Sequence, residues 1–205
     1  MKSCLIFSGG SVIGTEYLPK NYDLTISADG GYLNALKFNI IPDICMGDFD
    51  TLKSNIDLSC EVIKFPPEKD DTDTMICIKK AISMGFDTIY IYGALGGRFD
   101  HTMANLQSLE YIKNKNVKGY LIDNQNIVTV QGVGTEIYLN RGEFKYFSIF
   151  SLAEKSVLSS SGLKYQLNNT VLTRDFPLGV SNEFQEDFSQ ITVHSGLVLI
   201  SYSKD

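Results

Sequence analysis

Short apolar runs punctuate the first part of the chain. CLIF (4–7), LTIS (24–27), DICM (43–46), EVIKF (61–65) and TIYIY (88–92) read as short buried strands. Between several of them lie segments with helical period. Asp71 sits where it could cap a helix from Thr72 to about Met84, with Met75, Ile78 and Ile82 on one side and Gly85 ending the run. DHTMANLQSLEYIKNKN, opening at Asp100, carries acid at its start and lysines near its end, as the helix dipole favours. Strands alternating with helices predict a mostly parallel α/β sheet, Rossmann-like in type.

After about residue 117 the pattern changes. VKGYLID, NIVTVQG, TEIYLN, YFSIFSL, TVLT, QITVHSG and LVLISYS are strand-like, separated by Gly, Asn and Asp turns, with no helical period among them. This half reads as a small all-β sandwich. The expected division is an α/β domain over residues 1–123 and a β-sandwich over 124–205.

Composition adds few constraints. The 205 residues are 43% hydrophobic and 20% charged, ordinary for a globular chain able to bury a core. Net charge is −6 with no Lys/Arg block, which argues against a nucleic-acid groove. The N-terminal apolar run is too short for a signal-peptide core, and nowhere is there a run of membrane length, so a cytoplasmic location is expected. Cys4, Cys45, Cys60 and Cys77 form no CxxC pair and no Cys/His ligand spacing, and all four are expected as reduced, buried thiols.

The chemistry-bearing residues cluster where strands end. SADGG (27–31), GDFD (47–50), PPEKDDTD (66–73) and GALGGRFDH (93–101) follow the second to fifth strands. In open α/β sheets, ligands bind outside these carboxyl ends. Asp48 and Asp50 at i,i+2 would face one side of an extended segment and could share a metal shell; GDFD alone reads first as a polar turn. Repetition of acids, from Asp29 through Asp70, Asp71, Asp73 and Asp100, favours a magnesium and phosphate site. Gly96 and Gly97 permit close backbone approach, and Arg98 offers a fork-shaped donor to phosphate oxygens. Lys69 is a further phosphate contact or a solvated lysine among acids. His101 and Asn105 share a helix face, where His101 orients a neighbour, binds substrate or simply packs. His194 is read as structural. P-loop, GxGxxG, GxSxG and HExxH motifs are absent.

Taken in order, ADGG (28–31), PD (42–43), GDFDT (47–51), FPPEKDDTD (65–73), GALGGRFDHTMAN (93–105) and SNE (181–183) resemble the thiamine pyrophosphokinase family. Where that family often has Ser after GDFD, this chain has Thr51, which keeps the hydroxyl. The resemblance implies transfer of the diphosphate of ATP to the hydroxyl of thiamine, releasing AMP. It implies Asp48, Asp50, Asp73 and Asp100 as catalytic acids and Mg2+ ligands. Asp29, Gly30, Lys69, Arg98, His101 and Asn105 fall to ATP and its phosphates, and Ser181 and Asn182 to thiamine. A homodimer with active sites between subunits is implied as well. The rivals are a magnesium-dependent phosphatase, since DFDT is one residue short of a DxDxT nucleophile loop, and a non-catalytic nucleotide-binding regulator.

Overall fold

The computed structural model describes residues 1–14, 17–49, 60–66, 68 and 70–205. It divides into two compact units, Met1–Asn124 and Gln125–Asp205.

The first unit contains strands β1 (Ser3–Phe7), β2 (Leu24–Ala28), β3 (Ile44–Gly47), β4 (Glu61–Lys64), β5 (Thr88–Tyr92) and β6 (Lys118–Ile122). Helices α1 (Gly31–Lys37), α2 (Asp73–Ser83) and α3 (Phe99–Asn114) complete it. Its strands run in the order β4-β3-β2-β1-β5-β6, and every neighbouring pair is parallel. β1 and β5 are central and almost wholly apolar: Cys4, Leu5, Ile6, Phe7, Ile89, Ile91 and Tyr92 are fully buried. Such unbroken apolar runs are what a parallel sheet covered on both faces requires. Phe7, Phe38 and Tyr92 meet ring to ring, with centroids 5.7–6.1 Å apart.

Helix α2 begins one residue later than the Asp71 reading predicts. Thr72, in extended conformation, is the N-cap, and its hydroxyl accepts from the Met75 amide at 3.2 Å. Asp71 instead receives Lys79 Nζ at 2.6 and 2.9 Å. Two candidate caps stood side by side, and the hydroxyl won because the carboxylate had a lysine within reach. The pattern of apolar positions gave no sign of α1, whose seven residues are too few to display a period.

The second unit contains β7 (Asn126–Gln131), β8 (Gly134–Leu139), β9 (Tyr146–Ser151), β10 (Lys155–Ser161), β11 (Thr170–Thr173), β12 (Phe188–Ser195) and β13 (Val198–Ser203). β13 pairs antiparallel with β7 on one side and β9 on the other, while β11-β10-β12-β8 form an antiparallel sheet. Phe147 of β9 lies 5.0 Å from Tyr202 of β13, 5.5 Å from Tyr138 of β8 and 4.9 Å from Phe184, centroid to centroid. β10 was not anticipated: its KSVLSSS reads as a polar loop, yet Ser156 and Leu158 are fully buried. Buried hydroxyls are tolerated there because they are hydrogen-bonded; Ser156 Oγ meets Ser151 Oγ at 2.8 Å and Leu197 O at 3.0 Å.

The cysteines depart from expectation. Cys45 and Cys60 form a disulfide with Cα atoms 6.3 Å apart, whereas Cys4 and Cys77 are buried outside any disulfide. Spacing alone did not reveal the pair, because 15 residues separate the two sulfurs in sequence and only the adjacency of β3 and β4 brings them together. No helix among the described residues is long and apolar enough to cross a membrane.

Thr72→Ala is expected to lower stability by about 1 kcal/mol in urea unfolding through loss of the cap, and Asp71→Asn to move the midpoint less. The opposite ranking would return the cap to Asp71.

Candidate functional site

The chain runs through β1, β2, β3 and β4 to one edge of the sheet, then returns to place β5 on the free side of β1. That reversal is a topological switch point, where the loops after β1 and β5 diverge and leave a crevice. A cavity of about 590 Å³ lies there.

The ends of β1, β2, β3 and β5 contribute to its wall. Ser8, Gly9, Gly10 and Ser11 follow β1, Asp29 and Gly30 follow β2, and Asp48 follows β3. Asp71, Thr72, Asp73 and Thr74 form the entrance to α2. Gly93, Ala94, Gly96, Gly97 and Arg98 follow β5, with His101 and Asn105 on α3 behind them.

Backbone crowding explains two of the glycines. A Cβ on Gly10 would stand 2.3 Å from the Gly93 carbonyl oxygen, which accepts the Gly10 amide at 2.9 Å. A Cβ on Gly47 would lie 3.0–3.2 Å from Asp29, whose amide donates to Met46 O at 2.8 Å. The first contact ties the two glycine loops together across the switch point; the second brings Asp29 beside the strand that delivers Asp48. Both Asp29 (φ 43) and Phe49 (φ 63) adopt left-handed backbone, a conformation that side-chain-bearing residues keep only where surroundings enforce it. Phe49 itself is therefore not extended, while the expected facing of Asp48 and Asp50 involves a residue outside those described.

Buried amides hold the loops in place. Asn34 of α1 is buried, and its Nδ2 donates to Ser8 O at 2.8 Å and Gly10 O at 2.7 Å. Lys37 Nζ donates to Asn34 Oδ1 at 3.0 Å, fixing which end of the amide points to the loop. Asn105 Nδ2 donates to Ala94 O at 2.7 Å in the same manner, and Ser8 Oγ meets Thr74 Oγ1 at 2.8 Å. Asn34 was missed by sequence reasoning, because the short α1 gave no helical signal to place it.

Arg98 and Asp100 form a bidentate pair, with Nη2 to Oδ2 at 2.5 Å and Nε to Oδ1 at 3.1 Å. That hydrogen bond holds the Asp100 carboxyl below the usual carboxylate range and the Arg98 guanidinium above its own. Both side chains are exposed, and Arg98 lines the cavity while Asp100 does not. Asp50 and Lys69 lie outside the described residues. Ser181 and Asn182 belong to the second unit. Ser181 is exposed with φ 57, whereas Asn182 is buried and spends its carboxamide on the Tyr165 backbone, at 2.9 and 2.7 Å.

The residues fit a magnesium ion of one kind. Asp29 Oδ1 is buried without a hydrogen-bond partner, an electrostatic cost that a cation would offset. Yet among the described residues no three His, Cys, Asp or Glu side chains converge as a metal cage. Magnesium commonly takes one or two carboxylates and completes its shell with water and substrate phosphates, which suits this sparse acid set.

Six parallel strands whose switch point opens between glycine loops and carboxylates are the frame of a phosphate-handling α/β domain. Residues 15–121 match the family model for the thiamin pyrophosphokinase catalytic domain, and residues 134–198 match that for the thiamin pyrophosphokinase vitamin B1 binding domain. The thiamine pyrophosphokinase of Bacillus subtilis (strain 168) is 31% identical over the full length of both chains. Thiamin pyrophosphokinase 1 of Caenorhabditis elegans is 31% identical, covering 85% of this chain and 76% of the relative. A crystal structure of thiamine pyrophosphokinase from Bacillus subtilis superposes over both entire chains with a TM-score of 0.92 at 28% identity. The chain belongs to the thiamin pyrophosphokinase family, and is thus a transferase of the diphosphokinase kind. Neither the phosphatase nor the regulator gains support from these likenesses.

Asn34→Asp preserves shape but sets a carboxylate against two carbonyl oxygens. It is expected to destabilise the fold by about 1–3 kcal/mol, with loss of nucleotide affinity at temperatures where the variant remains folded. Unchanged affinity in a folded variant would show that the loop does not depend on Asn34.

Proposed function

We propose that this protein transfers the diphosphate of ATP to the hydroxyl of thiamine, giving thiamine diphosphate and AMP. The observation that carries the reading is the ordered match of two family models, catalytic then vitamin B1-binding, to a chain whose first unit holds an acid- and glycine-lined cavity. In this reading the first unit is Rossmann-like, in keeping with its strand order, and the second a sandwich around the Phe147–Tyr202 aromatic cluster.

ATP lies across the switch point, its phosphates against the loops after β1 and β5. Asp48 and Asp73, with Asp50, would hold Mg2+, while Asp29 presents its buried Oδ1 oxygen from the neighbouring strand; Asp100 lies off the cavity wall and pairs with Arg98. When bound, Mg2+ neutralises phosphate charge and stabilises the charge that develops as AMP leaves. Attack falls on the β-phosphorus, so the chain must fix the triphosphate more than it must supply covalent chemistry. Gly10 and Gly97 allow the backbone to approach phosphate oxygens, and Arg98 donates to them after exchanging its fork from Asp100. His101 and Asn105 back the same wall, with Asn105 keeping Ala94 in place, and Lys69 adds a phosphate contact. Ser181 offers its exposed hydroxyl to thiamine, and Asn182 positions the Tyr165 segment beside it.

The working form is a homodimer in the cytoplasm, with active sites between subunits. Exposed Ile137, Leu139 and Phe188 on β8 and β12 provide apolar surface for such an assembly to cover.

Protein incubated with ATP, Mg2+ and thiamine is expected to yield equal amounts of AMP and thiamine diphosphate, with none after EDTA. Phosphate without AMP would overturn the reading. Asp48→Asn should cost orders of magnitude in kcat with the fold intact, and Arg98→Ala should raise KM for ATP more than for thiamine. Light scattering at micromolar concentration should report a dimer; a monomer there would remove the shared site.

A further inference from the structure

The Cys45–Cys60 disulfide plays no part in the reaction above, yet the two cysteines flank Asp48 in the sequence. Cys45 is the second residue of β3, three positions before Asp48, and Cys60 immediately precedes β4. The bond thus tethers both ends of the connection that carries Asp48. Its sulfurs share a small cluster with Tyr32 of α1 and with Phe49, the left-handed residue next to Asp48. Disulfide, Phe49 ring and Asp48 are consecutive links along one stretch of chain.

We propose that Cys45–Cys60 is a thiol-exchangeable redox site that sets how firmly Asp48 is presented to the cavity. Its reaction partners are small thiols of the glutathione class or dithiol reductases. The effect on ligand binding rests on the magnesium–nucleotide reading of the cavity, whereas the exchange chemistry does not.

Accessibility assigns the order of events. Cys45 is fully buried and Cys60 is half-buried, so an incoming thiolate reaches Cys60. A bond forms between the external sulfur and Cys60 Sγ, while the Cys60–Cys45 bond breaks. Cys45 leaves as a thiolate and takes up a proton. A second external thiolate then attacks the external sulfur of the mixed disulfide and releases Cys60, which is protonated in turn. In sum, one protein disulfide and two external thiols give two cysteine thiols and one external disulfide, a two-electron, two-proton exchange. The remaining cysteines stay outside this chemistry. Cys4 and Cys77 are fully buried, and burial, reinforced by the Asp43 charge, pushes the Cys4 thiol up to about 12, leaving it without thiolate character at neutral pH.

Reduction removes the cross-link from β3 to the residue before β4, leaves their backbone pairing in place, and lets the Phe49 cluster beside Asp48 loosen. A positioning contact of this kind acts on ligand affinity rather than on the covalent step.

The test equilibrates the intact protein in mixtures of reduced and oxidised glutathione and quenches aliquots with N-ethylmaleimide. Peptide mass mapping reads the disulfide, and calorimetry reads Mg2+–ATP binding in parallel. Cys45 and Cys60 are expected to gain the label together in one two-electron step, with Cys4 and Cys77 unlabelled throughout. Mg2+–ATP affinity is expected to fall roughly tenfold across the same step. Cys60→Ser should hold the weaker affinity at every glutathione ratio. Cys45 and Cys60 remaining thiols in fully oxidised glutathione would overturn the proposal, as would a disulfide transition with unchanged affinity. AMP formation, assayed separately, reports on the transferase reading: its absence with an intact redox transition and Mg2+–ATP binding would discard the reaction and keep the site.

Discussion

Parallel pairing of the first six strands is the constraint from which the rest of the site follows. Because all six point the same way, their carboxyl ends share one rim, and every connection must leave from that rim or return to its opposite. Residues remote in sequence, from Ser8 to Asn105, meet around one cavity for that reason alone. The reversal of strand order between β1 and β5 then decides where along the rim the opening falls. Acids and glycines placed after β4 alone would have met no facing loop.

Within that frame the protein turns its buried amides toward backbone rather than ligand. Asn34 and Asn105 each satisfy loop carbonyls, while the buried hydroxyls of Ser8 and Thr74 meet each other. The groups left over are those a phosphate or cation would need, with the Asp29 Oδ1 oxygen the plainest among the described residues. The division of labour is physical: neutral amides hold loops without adding charge, and the Asp29 oxygen is left to meet a cation.

Much of this was legible in the sequence, and the exceptions have particular causes. Apolar runs marked β1, β2, β3 and β5, because strands buried on both faces admit few other residues, whereas EVIKF, read as a buried strand, became the mostly exposed edge strand β4. Motif position at strand ends located Asp29, Asp48, Asp73, Arg98, His101 and Asn105 on the cavity wall. Helix α1 and strand β10 escaped notice, one because it is too short to show a period and the other because serine hides a buried position. The cap assignment failed between neighbours, since Asp is the better cap by propensity but Asp71 pairs with Lys79 and leaves the cap to Thr72. Asn34 and the Cys45–Cys60 bond depend on contacts between distant segments, which no local pattern encodes.

The amide of Asn34 has one more consequence. Its two donors and the lysine behind it settle the conformation of the loop after β1 during folding, before any ligand arrives. The entropy of ordering that loop is therefore charged to folding rather than to association, and the phosphate meets a surface that is already shaped. A loop prepared in this way discriminates by fit at first encounter, and tells ligands apart by how fast they leave.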